Sequence, residues 1–217
     1  MALYPIALRL EGRRCLVVGG GRVAERKVAA LLDATADVVV VAPEVTPALR
    51  ELATMGRIAL HEREALADDV IGATLVIAAT DIPQVNEIVW QASRAAGVLI
   101  NTVDVPTHSD FYTPAVVRRP PATLAIDTDG HSPGLSAWLR RHLEAALPAR
   151  LGELAETLGE LRAQVGQTIL ERTDRTAFWN QVVDDELIAV AEQEGMDAVR
   201  ERVVAALADW PTREAAP

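Results

Sequence analysis

The sequence predicts an α/β protein in which a Rossmann-type doubly wound parallel sheet is followed by a small β segment and a C-terminal helical domain. Three observations support this prediction. Three consecutive glycines separate an apolar run from a segment of helical periodicity within residues 15–32. Apolar runs then alternate with helical segments up to residue 102, and from residue 135 onward leucines recur at helical spacing.

The first strand, turn and helix read CLVVGGGRVAERKVAALL over residues 15–32. Gly19, Gly21 and Ala24 follow the register G-x-G-x-x-A, in which small residues let backbone N–H groups approach a pyrophosphate at a helix N-terminus. A glycine-rich turn can also be a plain tight connection. The run DVVVV at residues 37–41 supplies a second strand at the spacing of a βαβ unit, which favours the dinucleotide site.

The alternation then continues through a helix, two strands, a second helix and a further strand, which is typical of a parallel sheet covered by helices. The predicted bounds are 47–55 for the helix capped by Thr46, 58–61 and 75–79 for the two strands, 85–96 for the second helix and 98–102 for the last strand.

The chain changes character after Asp104. Two short strand candidates, residues 115–118 and 123–127, flank a Pro-Pro pair. Such a strand pair cannot cover its own faces, so it must extend the first sheet or pair with another chain. From residue 135 to residue 208 the pattern is helical, and Pro148 separates the first two helices.

These changes of pattern predict three domains. We expect an NAD-binding Rossmann domain at residues 1–112, a small β segment at residues 113–147 and a helical domain at residues 148–217.

Composition and charge exclude several classes of protein. Half of the 217 residues are hydrophobic, yet no apolar run approaches the roughly 20 residues that span a bilayer. The N-terminal residues lack the charged start and long apolar stretch of a signal peptide, so we expect a cytoplasmic protein. A net charge of −10 opposes binding to nucleic acid. The single cysteine, Cys15, lies in a predicted buried strand and is interpreted as a core thiol.

The cofactor type is only partly determined by the pattern. The acid that usually binds the ribose would fall near Ala42, but the chain reads Ala42, Pro43, Glu44 there. Glu44 is either a ribose ligand from the following loop or a solvated acid beside a helix. No arginine stands at this strand end to bind a 2′-phosphate, which favours NAD over NADP.

We expect the catalytic residues in the loops at the carboxyl ends of the strands, because ligands of doubly wound sheets bind there. The selected loops are residues 19–23, 80–86 and 101–110. Asp104 follows the fifth strand, and its carboxylate is a candidate to remove a proton while hydride leaves the substrate. The alternative is that Asp104 caps a turn. His108 and His131 are weaker ligand candidates, and no His/Cys spacing indicates a metal site.

Five motifs in this order carry a family resemblance: CLVVGGGRVAERK, IAATDIPQVN, NTVD, FYTPAVVRR and SPGLSAWLRRHLEAAL. Together they resemble the siroheme synthase N-terminal module, the precorrin-2 dehydrogenase and sirohydrochlorin ferrochelatase family. The resemblance implies oxidation of precorrin-2 to sirohydrochlorin with NAD, and in many members insertion of ferrous iron to give siroheme. It also implies an intertwined homodimer, with residues 113–147 as its dimerisation segment.

The resemblance also implies roles for individual residues. Asp104 matches the family aspartate proposed as general base in dehydrogenation and implicated in chelation. Gly21, Arg22 and Val23 match the family's pyrophosphate turn, and Pro43 with Glu44 matches its loop near the ribose. Two further cofactor-binding candidates come from the pattern itself: Gly19 from the G-x-G-x-x-A register and Thr80 from the strand-end loop at residues 80–86.

Candidates for binding the tetrapyrrole carboxylates lie further along the chain: Arg118, Arg119, Thr128, His131, Arg140 and Arg141. Guanidinium groups suit carboxylates, although each arginine taken singly is equally well interpreted as solvated. No family role is carried over to His131. The chain departs from the family at Asp127 and Asp129, where serine and small or polar residues are common, and these added carboxylates oppose the chelatase activity more than the dehydrogenase activity.

An alternative of a different class is a non-catalytic NAD-sensing regulatory module, in which the acidic helical region controls a partner. Residues 151–217 hold 14 acidic and 6 basic residues. Many family members continue into a methyltransferase domain near the point where this sequence stops.

Overall fold

The first part of the chain forms a five-stranded parallel sheet in the order β3-β2-β1-β4-β5. The computed structural model describes residues 3–211, and the chain divides into one unit at Leu3–Thr113 and a second that begins at Pro114. Elements of the first unit are β1 (Arg14–Val18), α1 (Arg22–Asp33), β2 (Asp37–Val41), α2 (Pro47–Thr54), β3 (Ala59–His61), β4 (Leu75–Ala78), α3 (Pro83–Ala96) and β5 (Leu99–Thr102). The predicted doubly wound sheet is confirmed.

Both faces of this sheet are covered, because side chains alternate along its strands. Val17 on β1 belongs to a core with Val28 of α1 and Leu49 of α2. Its neighbour Leu16 belongs to the core on the other face, with Val89 of α3.

Cys15 lies in the first of these cores and is fully buried. Burial raises the pKa of its thiol to about 11, and the nearby charge of Asp37 acts in the same direction. The thiol therefore stays protonated at neutral pH, as expected of a core residue.

Sequence periodicity misplaced several element ends by one or two residues and missed two short 3-10 helices. Helix α3 begins at Pro83 rather than at residue 85, because proline is well suited to the first position of a helix. The 3-10 helices span Ala67–Val70 and Pro106–His108. Segments of three or four residues are too short to show a hydrophobic period.

Up to residue 211, the second unit contains a separate two-stranded antiparallel sheet and five helices. Its elements are β6 (Ala115–Arg119), β7 (Ala122–Ile126), α4 (Pro133–Ala146), α5 (Leu151–Thr168), α6 (Arg172–Val182), α7 (Asp185–Gln193) and α8 (Met196–Ala208). Among the described residues β6 and β7 pair with no other strand, so the first of the two alternatives for this strand pair, extension of the first sheet, is wrong for the single chain. Helices α4 and α5 cover part of this small sheet instead.

Helices α5 to α8 enclose a core around Phe178, which is fully buried. Two tryptophans, Trp179 and Trp210, meet its ring edge-on at centroid distances of 5.2 and 5.3 Å. In residues 3–211 no helix is long and apolar enough to cross a membrane.

Candidate functional site

A cavity of about 790 Å³ lies at the carboxyl ends of β1, β2 and β4. This is the point where the strand order reverses direction between β1 and β4, which is where doubly wound sheets bind ligands. The cavity is lined by Gly19, Gly20, Gly21, Arg22, Val23, Ala42, Pro43, Glu44, Val45, Thr46, Ala79, Thr80, Asp81, Ile82, Val103 and Asp104. All seven cofactor-binding candidates and Asp104 are therefore brought to one cavity.

Two of the three glycines in the turn are required by the packing of the protein itself. At Gly19, where φ is +123°, a Cβ atom would lie 2.3 Å from the carbonyl oxygen of Ala79. At Gly20 it would lie 2.0 Å from the carbonyl oxygen of Glu44. Sequence analysis did not single out Gly20, because its contact is with a loop more than twenty residues away.

Gly21 differs from both. Its φ of −82° is open to any residue, and a Cβ atom there would meet no atom of residues 3–211 other than its chain neighbours within 4 Å. The protein's own packing therefore does not require glycine at this position. The free space borders the cavity, which fits a backbone left bare for close approach of a ligand.

Helix α1 points its N-terminus at the same cavity. Its N-cap, Gly21, offers no side-chain hydrogen bond, and the first helical bond runs from Glu25 N to Gly21 O at 3.0 Å. The preceding amides, including those of Arg22 and Val23, consequently have no partner within the helix. Free amides, the helix dipole and the Arg22 guanidinium together form a site suited to phosphate.

Packing against the glycine turn fixes the loop after β2. Thr46 N donates to Gly20 O at 2.9 Å, in addition to the close approach of Glu44 to Gly20. Pro43 and Glu44 consequently lie at the cavity, with the Glu44 side chain exposed.

The loop after β4 is held by side-chain hydrogen bonds. Thr80 Oγ1 accepts from Ile82 N at 3.1 Å, and Asn86 Nδ2 donates to Thr80 O at 3.0 Å. Asn86 is 7% exposed. The polar start of α3 gave no sequence signal for this support, since only the fold shows that Asn86 lies on the buried side of the helix with Val89 and Ser93.

Asp104 occupies the third position of a turn between Thr102 and Val105. Val105 N donates to Thr102 O at 3.1 Å, and Asp104 has a φ of +61°. Within residues 3–211 the hydrogen bonds of this turn come from other side chains, and none reaches the Asp104 carboxylate. The alternative that Asp104 caps a turn through its side chain thus lacks the hydrogen bond it needs.

Lys27 of α1 is a neighbour of Asp104 that sequence analysis missed. Its Nζ donates to Thr113 Oγ1 at 2.5 Å. Burial lowers the pKa of the Lys27 ammonium and the adjacent Arg26 lowers it further, whereas the negative charge of Asp104 acts in the opposite direction. The two side chains are therefore close enough for their charges to interact.

His108 is placed against α3 and does not line the cavity. Its ring stacks on Trp90 at a centroid distance of 4.3 Å, and its Nε2 lies 3.6 Å from Glu87 Oε2.

The substrate-binding candidates all lie in the second unit. Arg118 and Arg119 are on β6, Thr128 and His131 are in the loop before α4, and Arg140 and Arg141 are on α4.

Four of these candidates are engaged in structural contacts: Arg119, Arg140, Thr128 and His131. Arg119 donates to Glu144 O at 3.2 Å and Arg140 to Glu144 Oε2 at 2.8 Å. Thr128 Oγ1 accepts from Ser132 N at 3.1 Å and thereby supports the start of α4.

Arg118 and Arg141 are different, since in the described part of the chain no ion pair or side-chain hydrogen bond involves either guanidinium. In the same part, no group of three or more His, Cys, Asp and Glu side chains is arranged to hold a metal ion. His131 Nδ1 lies 3.1 Å from Thr128 O.

Two known families match separate parts of the chain. Residues 6–115 match the family described as "Putative NAD(P)-binding", and residues 150–210 match the "Sirohaem synthase dimerisation region". The matched dimerisation region thus covers helices α5 to α8 and lies beyond the strand pair β6–β7.

Full-length relatives extend beyond this sequence. A siroheme synthase of Methylococcus capsulatus is 40% identical over 217 residues, which are 100% of this chain and 46% of the relative. Siroheme synthase 3 of Aeromonas hydrophila is 40% identical over 198 residues, 91% of this chain and 42% of the relative. The chain therefore spans less than half the length of these relatives.

A solved structure described as SirC, precorrin-2 dehydrogenase, shares the fold. Its TM-score is 0.76 at 24% identity, over 94% of this chain and 100% of that one.

The sheet, the glycine turn and the cavity define a dinucleotide-binding protein of the Rossmann class, joined to a dimerisation region. Within this class, the chain belongs to the family of siroheme synthase N-terminal modules. The resemblance inferred from the five motifs is confirmed.

Proposed function

We propose that the protein oxidises precorrin-2 to sirohydrochlorin with NAD in siroheme biosynthesis. The observation that supports this most directly is the position of Asp104, an exposed carboxylate without a hydrogen-bond partner in the described chain, at the edge of a dinucleotide cavity. A carboxylate that is not used for structure is free to accept a proton.

The residues of the cavity fit a nicotinamide dinucleotide. Free amides at the start of α1, the bare face of Gly21 and the Arg22 side chain would hold the pyrophosphate, and Glu44 would accept hydrogen bonds from the ribose. When bound, NAD supplies the hydride acceptor. The electron pair of the broken C–H bond would leave the tetrapyrrole with the hydride, and Asp104 would accept the proton that is lost in the same oxidation.

The charges of the cavity favour NAD over NADP. Among the described residues that line the cavity, Arg22 is the one basic side chain, whereas Glu44, Asp81 and Asp104 are acidic. A 2′-phosphate near Glu44 would add a further negative charge to a cavity that already has a negative excess.

Arg118 and Arg141 are the arginines we propose for binding the tetrapyrrole carboxylates. Their guanidinium groups are not committed to neighbours in the described chain, in contrast to those of Arg119 and Arg140. As a second activity we propose insertion of ferrous iron into sirohydrochlorin. In this step Asp104 would accept the pyrrole protons that the iron displaces.

We propose further that the protein acts as a homodimer in the cytoplasm. The match to a dimerisation region supports the homodimer. The cytoplasm suits a protein with one cysteine, buried and unpaired.

An anaerobic assay with precorrin-2 and NAD tests the main proposal and separates it from the regulatory alternative. We expect NADH and sirohydrochlorin to appear in equal amounts. Insertion of ferrous iron into sirohydrochlorin is measured in a separate assay. Tight binding of NAD without oxidation of precorrin-2 would contradict the enzyme and favour the NAD-sensing module.

A further inference from the structure

The hydroxyl group of Ser109 lies at the centre of the hydrogen bonds around the Asp104 turn. It accepts from Thr102 N at 3.0 Å and lies 3.1 Å from Thr102 O and 3.0 Å from Val105 O, either of which can accept its proton. One side chain therefore links the first and the last residue of the turn whose third residue is Asp104.

The turn needs such support because of its backbone. Asp104 has a positive φ whereas Val103 does not, which is the pattern of a type II turn. Glycine or asparagine is usual at that third position, and another residue there is strained and keeps this conformation only when its surroundings fix it. Here the Asp104 side chain contributes no hydrogen bond to its own turn, so the fixing must come from elsewhere.

The segment that carries Ser109 is itself anchored along β5. Thr102 Oγ1 donates to His108 O at 2.9 Å, Asn101 Nδ2 donates to Phe111 O at 3.0 Å, and Asp110 N donates to Ile100 O at 2.8 Å. Ser109 is thus presented to the turn from a fixed backbone.

We propose that Ser109 is a positioning residue for the reaction: its hydroxyl holds the Thr102–Val105 turn in the strained conformation that points the Asp104 carboxylate at the cavity. This inference rests on the proposed function, in which Asp104 accepts the proton. Ser109 does not line the cavity and is not expected to contact cofactor or substrate.

The test compares three variants of the full chain. Ser109→Ala removes the hydroxyl, and Ser109→Thr keeps it. Ser93→Ala is the matched control, because Ser93 in α3 is fully buried and its hydroxyl has no partner among the described residues. Each variant is assayed for kcat and KM with precorrin-2, for NAD affinity and for amide hydrogen exchange across residues 99–111.

We expect Ser109→Ala to lower kcat by roughly tenfold to 10²-fold, the usual effect of misplacing a catalytic group by about 1 Å. NAD affinity should stay within about twofold of wild type, since the pyrophosphate turn is untouched. Exchange protection of the Thr102 and Val105 amides should be lost. Ser109→Thr should restore both the protection and most of kcat, and Ser93→Ala should change neither.

Two results would overturn the inference. One is unchanged protection of Thr102 and Val105 in Ser109→Ala, which would show that the hydroxyl does not hold the turn. The other is a kcat within twofold of wild type despite lost protection, which would show that the turn does not control the chemistry. Failure of the wild-type enzyme to oxidise precorrin-2 would refute the proposed function instead, and the exchange measurement would still decide whether Ser109 fixes the turn.

Discussion

The three glycines in the turn after β1 differ in the space that the fold leaves for a side chain. Gly19 and Gly20 leave no room for a Cβ atom beside Ala79 O and Glu44 O. At Gly21 the described residues leave room for a Cβ atom. Only a ligand bound in the cavity would require this position to have no side chain. Packing thus requires glycine at two positions of this turn, and at the third we expect a bound ligand to require it.

We predict that Gly21→Val abolishes NAD binding and leaves the protein folded, because the added side chain fills space that the protein does not use. Gly20→Ala is the matched control, and it should lower the free energy of unfolding by about 1–3 kcal/mol through steric overlap. Calorimetric titration with NAD and urea unfolding measure the two effects. Undiminished NAD affinity in Gly21→Val would contradict the assignment of this turn to the pyrophosphate.

Asp104→Asn should reduce precorrin-2 dehydrogenation by roughly 10² or more, since an amide cannot accept the proton. NAD affinity and the free energy of unfolding should change little. The Asp104 carboxylate makes no hydrogen bond in the described chain, and asparagine tolerates a positive φ.

Asp33→Asn at the far end of α1 controls for the loss of one charge. A fully folded Asp104→Asn protein with wild-type rates would end the catalytic claim for this residue. Parallel assays of iron insertion would show whether the same carboxylate serves both steps.

At the scale of elements, side-chain hydrogen bonds stabilise short irregular segments that lack the regular backbone hydrogen bonds of a helix or sheet. The 3-10 helix Ala67–Val70 depends on Asp69, whose carboxylate accepts from Arg63 Nη1 and Nη2 at 2.8 and 2.6 Å and from Leu66 N at 2.8 Å. The hydrogen bonds with Arg63 lower the pKa of Asp69, and the bond from Leu66 N adds to this against the opposing effect of burial.

The lowered pKa sets the direction of a pH effect. Because the folded pKa of Asp69 lies below its unfolded value of about 3.9, its contribution to stability is complete above that value. It disappears as the pH falls through the folded pKa. We predict that Asp69→Asn lowers the free energy of unfolding by about 1 kcal/mol at neutral pH, with a difference that vanishes in acid.

Urea unfolding at a series of pH values measures this difference, with the exposed neighbour Asp68→Asn as control. A deficit of the same size at every pH would argue against the ion pair as its source.

At the scale of the whole molecule, helix α4 presents a face that the described chain does not cover. Packing of the described residues buries Ser136 alone on this helix, whereas Leu135 and Trp138 are 48% and 46% exposed. The Trp138 ring stacks on the His142 ring on the same side of the helix, with a distance of 3.6 Å between the ring centroids. An apolar helix face of this kind is usual where another chain packs.

We predict an obligate homodimer in which two chains exchange residues 113–127 and bury more than about 2,000 Å². Sedimentation velocity at micromolar concentration should show dimers only. Trp138→Glu, which places a charge on the exposed face of α4, should weaken the association. A well-folded wild-type monomer at that concentration would refute the prediction.

The sequence alone determined the sheet type, most element positions and the strand-end loops that contain the candidate site. These features follow from local rules: apolar runs with period two or 3.6, a glycine turn between strand and helix, and the meeting of strand ends at one sheet edge. Gly21, Glu44, Thr80 and Asp104 could be grouped at one cavity for this reason.

Tertiary structure decided what depends on contacts distant in sequence. It paired β6 with β7 in a sheet of their own, brought Glu44 against Gly20, set Lys27 near Asp104 and placed Ser109 across the Asp104 turn. Each of these contacts joins segments whose own periodicity carries no information about the partner. Only the folded chain, in which packing and hydrogen bonding are satisfied together, selects those partners.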